Sequence, residues 1–127
     1  MLKKTITYTD YDGNERTEDF YFNISKAELV EMQNSVNGGL NKELEIAVQS
    51  GDGPRIMQFF KDLIFKSYGV KSLDGKRFEK SEELTKAFTE TEAYVNFFIE
   101  LLSDEKAAQA FLKGVMPSDI QEIAAIK

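Results

Sequence analysis

The sequence predicts an α+β fold, mostly helical, in which an N-terminal β-hairpin packs on a cluster of about five to six α-helices. Apolar residues alternate with polar ones through the first two dozen positions, whereas from Ser25 onward they recur every three or four. The chain has 127 residues, the size of one domain, and ten Phe and five Tyr supply a core. We expect a single domain over 1–127, with the hairpin at 2–24 and the helical part at 25–126.

The predicted hairpin has two strands and a tight turn. Threonines alternate with Ile and Tyr over residues 5–9, which is typical of a strand. Asp12-Gly13 supplies the turn, because Gly tolerates the positive φ that such turns require. The return strand places Phe20, Phe22 and Ile24 on one face. Because an isolated hairpin is marginally stable, this face is expected to pack on helices.

Capping signals mark the first two helices. Ser25 is a good N-cap, and Glu28 three residues later completes a capping box. Asn37-Gly38-Gly39 is predicted to end this helix. A second helix is expected over 40–50, ending at Gly51-Asp52-Gly53.

The third predicted helix is the most hydrophobic of the first three. Pro54 suits its first turn, and apolar residues on most of its circumference predict a central, mostly buried helix that ends at Gly69. A polar connector over 70–80 follows, and its Asp74-Gly75 indicates a turn, either in a small hairpin or in a loop.

The next two helices follow from a cap and from spacing. Ser81 is the predicted cap, and Glu82 and Glu83 suit the positive end of a helix dipole. From Tyr94 to Leu102 the apolar positions follow an i, i+3, i+4, i+7, i+8 pattern.

Two short helices complete the prediction. Ser103 or Asp104 caps the first of them, which is predicted to end at Gly114. Ser118 and Gln121 have the spacing of a capping box before a short tail helix.

Two absent residue types limit the chemistry. The chain has no Cys, hence no disulfide, thiolate nucleophile or zinc–cysteine site, and no His, the commonest general base and transition-metal ligand. Acidic pairs such as Glu82/Glu83 are interpreted as helix N-terminal charge. The run from Asp10 to Asn14 begins like a calcium loop, but Tyr21 stands where that loop needs Glu. We expect no catalysis, cofactor or metal.

The charge balance bears on partners. The chain has 22 acidic and 16 basic residues, a net charge of −6, which disfavours nucleic acid as a partner. No stretch approaches the about 20 apolar residues that a membrane span needs. Met1-Leu2-Lys3-Lys4 is not followed by an apolar run, so we expect no signal peptide and a cytoplasmic location.

The C-terminal third holds more apolar residues than its short helices are expected to bury. Periodicity leaves two interpretations open, an ordinary core or a groove for a partner. A groove lined by Phe, Met and Leu suits amphipathic helices of a partner protein. The candidate partner-binding residues are Phe97, Phe98, Leu101, Phe111, Leu112, Met116, Ile120 and Ile123.

Six segments together resemble one protein family over nearly the whole chain. They are residues 7–23, 60–64, 67–69, 74–78, 91–94 and 110–117. These segments are similar to the corresponding segments of the tail assembly chaperones of long-tailed siphophages. That family consists of small proteins from phages and prophages of Gram-positive bacteria. The resemblance implies a non-catalytic protein that binds the tape measure protein, recruits tail tube subunits and is displaced as the tube polymerises. It also implies a location in the bacterial host cytoplasm, absence from the mature virion and possible self-association.

Two further functions compete with this one. A small acidic phage anti-defence inhibitor of a nucleic-acid-binding protein requires carboxylates arrayed on one face, whereas acids and bases are interspersed here, as at Lys42-Glu43. A structural tail subunit that stays in the particle is the second alternative.

Overall fold

A computed structural model of the chain describes residues 1–35 and 46–116, and it confirms an α+β fold that is mostly helical. Residues 46–50 are helical as well. The predicted helix end at 37–39 and the tail helix after Pro117 lie outside the described residues. The elements are, in chain order, β1 (Leu2–Thr9), β2 (Glu15–Phe22), α1 (Lys26–Ser35), α2 (Gly53–Ser67), β3 (Tyr68–Lys71), β4 (Phe78–Glu79), α3 (Glu82–Thr89), α4 (Glu92–Ser103) and α5 (Glu105–Val115).

The N-terminal hairpin forms as the alternation predicts. β1 and β2 pair in antiparallel register along their full length, and Gly13 in the connecting turn has a φ of +85°. The carboxylate of Asp10 accepts backbone hydrogen bonds from Asp12 and Asn14, each at 2.9 Å. It also pairs with Arg16. These acidic and amide residues therefore stabilise the turn.

The sheet extends beyond the predicted hairpin. Its strand order is β1-β2-β3-β4, and β3 pairs with β2 through Tyr21↔Gly69 and Phe22↔Tyr68. The segment after α2 thus enters the sheet at once, rather than beginning as a connector at Val70. Residues 68–79 form the small hairpin that the Asp74-Gly75 signal left open.

Two glycines that were expected to end helices also permit close packing. A Cβ on Gly69, which lies in β3, would stand 2.6 Å from Phe78 Cε2 and 2.8 Å from the Glu79 carbonyl oxygen. Gly114 lies inside α5, and a Cβ there would stand 2.8 Å from Leu2 Cδ1. Helix α2 ends at Ser67 and α5 at Val115, so both predicted helix ends are confirmed to within two residues. Neither glycine has a positive φ, so close tertiary contact is the reason for glycine at both positions.

The predicted caps are largely confirmed. The Ser25 amide donates to Glu28 Oε1 at 2.9 Å, and the Glu28 amide donates to Ser25 Oγ at 3.1 Å, which is a capping box. Ser81 caps α3. Of the two candidates before α5, Asp104 is the cap. Each cap satisfies backbone donors that the first helical turn leaves unpaired.

The core lies between the sheet and the helices, with Phe22 at its centre. Its fully buried ring contacts four other rings, with centroid separations of 5.2 to 5.8 Å. Those rings belong to Tyr68, Phe88, Phe97 and Phe111. Helix α2 contributes one buried face but leaves Met57 and Phe65 exposed. The expectation that α2 is buried around most of its circumference was therefore too strong.

Candidate functional site

The buried and the polar residues of α4 lie on adjoining parts of its circumference. Ala93, Phe97 and Leu101, spaced four residues apart, are buried in the core. On the polar side, Glu100 pairs with Lys4 of β1, and Asn96 Nδ2 donates to the Thr7 carbonyl oxygen at 3.4 Å. The polar side of α4 is thus directed towards the protein's own sheet.

An apolar side of the same helix faces outward. Val95 is 42% exposed and Ile99 is 57% exposed, while Phe98 and Leu102 are half-buried. Spacings of three and four residues place these four side chains along one side of α4, and we call them the α4 stripe. Apolar residues therefore cover more than half of the circumference of α4, a pattern of helices that are buried on several sides.

A groove of about 450 Å³ adjoins the α4 stripe. It runs between α2, α4, α5 and the helical residues 46–50, and Leu102 belongs to both the stripe and the groove. We call this cavity the apolar groove, since its polar lining is limited to Ser103, Glu105 and Gln109. Its apolar lining consists of Val48, Ile56, Phe60, Leu101, Leu102, Ala108 and Leu112.

The eight sequence-predicted candidates fall into three groups. Phe97, Leu101 and Phe111 are buried members of the core cluster. Phe98, Leu112 and Met116 are partly buried against that cluster. Ile120 and Ile123 lie outside the described residues. Leu101 and Leu112 line the apolar groove, and Phe98 belongs to the α4 stripe, so these three stay the strongest predictions for partner contact.

Sequence reasoning missed the most exposed members of the site. Val95 and Ile99 were not singled out, although both belong to a helix whose apolar residues exceed one face. Val48 and Ile56 reach the apolar groove from helices that are distant in sequence. The sequence signal for this site was the number of apolar positions in α4, because a helix with one buried face needs apolar residues on that face only.

The segment of the chain that contains α4 carries acidic residues but no basic ones. Between Ala87 and Glu105 the chain has no Lys or Arg, and its carboxylates are Glu90, Glu92, Glu100, Asp104 and Glu105. A hydrogen bond from the Tyr11 hydroxyl to Glu92 raises the pKa of Tyr11, with burial and the carboxylate charge adding to the effect.

Polar and charged residues make up most of the lining of two other cavities. One of about 520 Å³ lies beside the start of α3, where Lys80 Nζ is already engaged by Glu28 and by the Lys66 carbonyl oxygen. Another, of about 470 Å³, adjoins the hairpin turn at Asp10 and Glu92. Within residues 1–35 and 46–116, no three acidic side chains are grouped to hold a metal. None of the helices in those ranges is long and apolar enough to cross a membrane.

Comparison with known proteins gives one match. A family model described as phage tail assembly chaperone matches residues 1–127. No curated protein and no solved structure matches the chain.

Proposed function

This chain belongs to the phage tail assembly chaperone family, and from that premise we propose that it binds the tape measure protein and recruits tail tube subunits to it during tail assembly. The observation that carries the proposal is the outward-facing α4 stripe, continuous with the apolar groove through Leu102. The family match confirms the resemblance of the six segments. The tape measure protein and the tail tube subunits as partners are part of the proposal.

The site suits an amphipathic helix. Such a helix presents apolar residues at i, i+3, i+4 and i+7 to a hydrophobic groove. Burial of one Leu or Phe side chain contributes about 1.5–3 kcal/mol to the free energy of binding. A few anchoring side chains therefore offset part of the cost of association. Because side chains of this site such as Phe98 and Leu102 are half-buried, the site covers part of each anchoring side chain. It releases these anchors when a protein that binds them more tightly competes for the same surface.

We propose further that the protein acts in the bacterial host cytoplasm, without catalysis or a cofactor, and leaves the particle before the virion matures. The chain has no His or Cys to support the commonest acid–base and nucleophilic mechanisms. The alternative of a DNA-mimicking inhibitor gains no support, because Lys4, Arg16 and Lys80 each pair with a carboxylate on the surface.

Co-expression tests the proposed function. The tape measure protein of the same phage is produced alone and together with the tagged chain, and its soluble fraction is compared. We expect it to be soluble and to co-purify with the tag only in the second case. A tape measure protein that stays insoluble with the chain present would refute the proposal. Mass spectrometry of purified virions checks release, since a structural subunit would be found in the particle.

A further inference from the structure

We propose that the segment bound by the α4 stripe and the apolar groove is a basic amphipathic helix, whose apolar stripe is flanked by Lys or Arg. The inference rests on the proposed function, since it specifies the chemistry of the partner at the same site. It derives from the placement of charges around the two apolar surfaces.

The carboxylates lie at both ends of the site. Glu92 and Ile99 are seven residues apart on α4, so two helical turns place them on the same face. Glu105 lines the apolar groove, and Asp104 precedes it at the junction between α4 and α5. A helix lying along the stripe and into the groove therefore passes carboxylates at each end.

The basic residues of the neighbouring elements are not part of the groove lining. Lys4 is held at 2.7 Å by Glu100, on the side of α4 that contacts β1. Lys106 and Lys113 of α5 do not line the groove, although both lie within one helical turn of groove-lining Gln109. Arg55 lies one position before groove-lining Ile56 on α2, about 100° around the helix. No basic residue lines the apolar groove as the structure describes it.

The same charges disfavour a second copy of the chain as the occupant. A two-fold symmetric dimer places the same patch of both subunits together. Glu92 and Glu105 of one copy would then approach the acidic ends of the site on a chain that also carries a net charge of −6. Like charges across an interface oppose association, whereas Lys or Arg flanking a partner's apolar stripe favours it.

Two synthetic peptides test the inference. Both are helices of about 20 residues with an identical Leu stripe. One has Lys at all flanking positions and the other has Glu. Binding to the full chain is measured by fluorescence anisotropy at about 0.05 M and about 0.5 M salt. We expect the basic peptide to bind at least about tenfold more tightly at low salt, with the margin shrinking at high salt.

Three variants assign the binding to the site. Ile99→Asp changes an exposed residue of the α4 stripe and is expected to weaken the basic peptide about tenfold or more. Leu73→Asp makes the same kind of change in the β3–β4 turn, which is outside the site, and serves as the matched control. Glu105→Gln keeps the size of the side chain and is expected to reduce the preference for the basic peptide about two- to threefold.

Other outcomes overturn the inference. Equal affinity for both peptides, preference for the acidic one, or no binding of either would refute a basic partner. Light scattering checks the remaining occupant: a stable dimer that only Ile99→Asp dissociates would assign the site to a second copy. These failures are distinguishable from failure of the proposed function, because co-purification of the tape measure protein is measured separately and does not depend on the peptides.

Discussion

Lys4 Nζ lies 2.7 Å from Glu100 Oε1, so an ion pair joins β1 to the polar side of α4. The ammonium of Lys4 also lies 5.8 Å from the centre of the Phe97 ring, on the core-facing side of the same helix. Burial of Phe97 and Leu101 in the core sets the rotation of α4 about its axis, and the ion pair forms in that orientation. As a result, Val95 and Ile99 face away from the sheet and are available to a partner.

A double-mutant cycle measures this ion pair. Lys4→Met, Glu100→Gln and the double variant are unfolded in urea, and the coupling between the two changes is calculated. The two side chains are 33% and 41% exposed. Because solvent screens such a pair, we expect a coupling of only about 0.2–1 kcal/mol. A coupling of zero would mean that the pair does not contribute to the orientation of α4.

Neighbouring apolar residues of α4 are predicted to behave oppositely. Phe97 is 2% exposed and contacts the rings of Phe22 and Phe111, so Phe97→Ala should lower the free energy of unfolding by about 3–5 kcal/mol. Ile99 is 57% exposed, so Ile99→Ala should change it by no more than about 0.5 kcal/mol. Urea unfolding curves test both. Similar losses for the two variants would place Ile99 in the core and remove it from the site.

Gly69 is predicted to be irreplaceable for packing reasons. Gly69→Ala brings a methyl group into the Phe78 ring and the Glu79 carbonyl oxygen, and should cost about 1–3 kcal/mol. Gly53→Ala is the control, because a Cβ there meets nothing within 4 Å. It should be neutral or stabilising by up to about 1 kcal/mol. Thermal unfolding of both variants checks this, and a harmless Gly69→Ala would contradict the close approach of β4 to β3.

The contact between Lys80 and Glu28 predicts a dependence of stability on pH. Burial acts to raise the pKa of Glu28, but hydrogen bonds from Lys80 and Ser25 outweigh it, and the pKa lies below its ordinary value. A carboxyl whose pKa is lower in the folded than in the unfolded state stabilises the fold above its unfolded pKa. That contribution is lost as the pH falls through the folded pKa.

Glu28→Gln removes this charge and keeps an acceptor for the Ser25 amide. Near pH 7 the variant should be less stable than the native chain by about 0.5–1 kcal/mol, the range of a solvent-exposed ion pair. The difference should shrink once the pH is below about 4.3, the ordinary pKa of Glu, and falls through the lower pKa of the folded carboxyl. Urea unfolding at both pH values measures it. An equal difference at the two pH values would attribute the loss to packing instead of charge.

Much of the fold follows from local signals in the sequence. Asp12-Gly13 predicted the hairpin turn and the pair Ser25/Glu28 predicted a capping box, because both depend on residues close in sequence. Gly69 and Gly114 marked two helix ends to within two residues, but a helix end and a close tertiary contact select the same residue. The distinction requires knowing that Phe78 and Leu2 approach these glycines, which no local pattern contains.

The candidate site was only partly predictable for a related reason. Spacing placed Phe97, Phe98 and Leu101 on an apolar helix, but it could not show which apolar side faces the core. Contacts with residues distant in sequence decide that orientation, such as the packing of Phe97 on Phe22 of β2. Ile56 of α2 lines the apolar groove together with Leu112 of α5, so the groove exists only once the chain has folded.

Affinity purification of the tagged chain from phage-infected or induced cells, followed by mass spectrometry, tests whether the α4 stripe binds the tape measure protein. The native chain, Ile99→Asp and Leu73→Asp are compared, after confirming that all three unfold at similar urea concentrations. If the α4 stripe binds the tape measure protein, the native chain and Leu73→Asp recover it together with the tail tube subunit, and Ile99→Asp does not. Equal recovery by all three proteins, or recovery of a nucleic-acid-binding defence protein instead, would contradict binding of the tape measure protein at the α4 stripe.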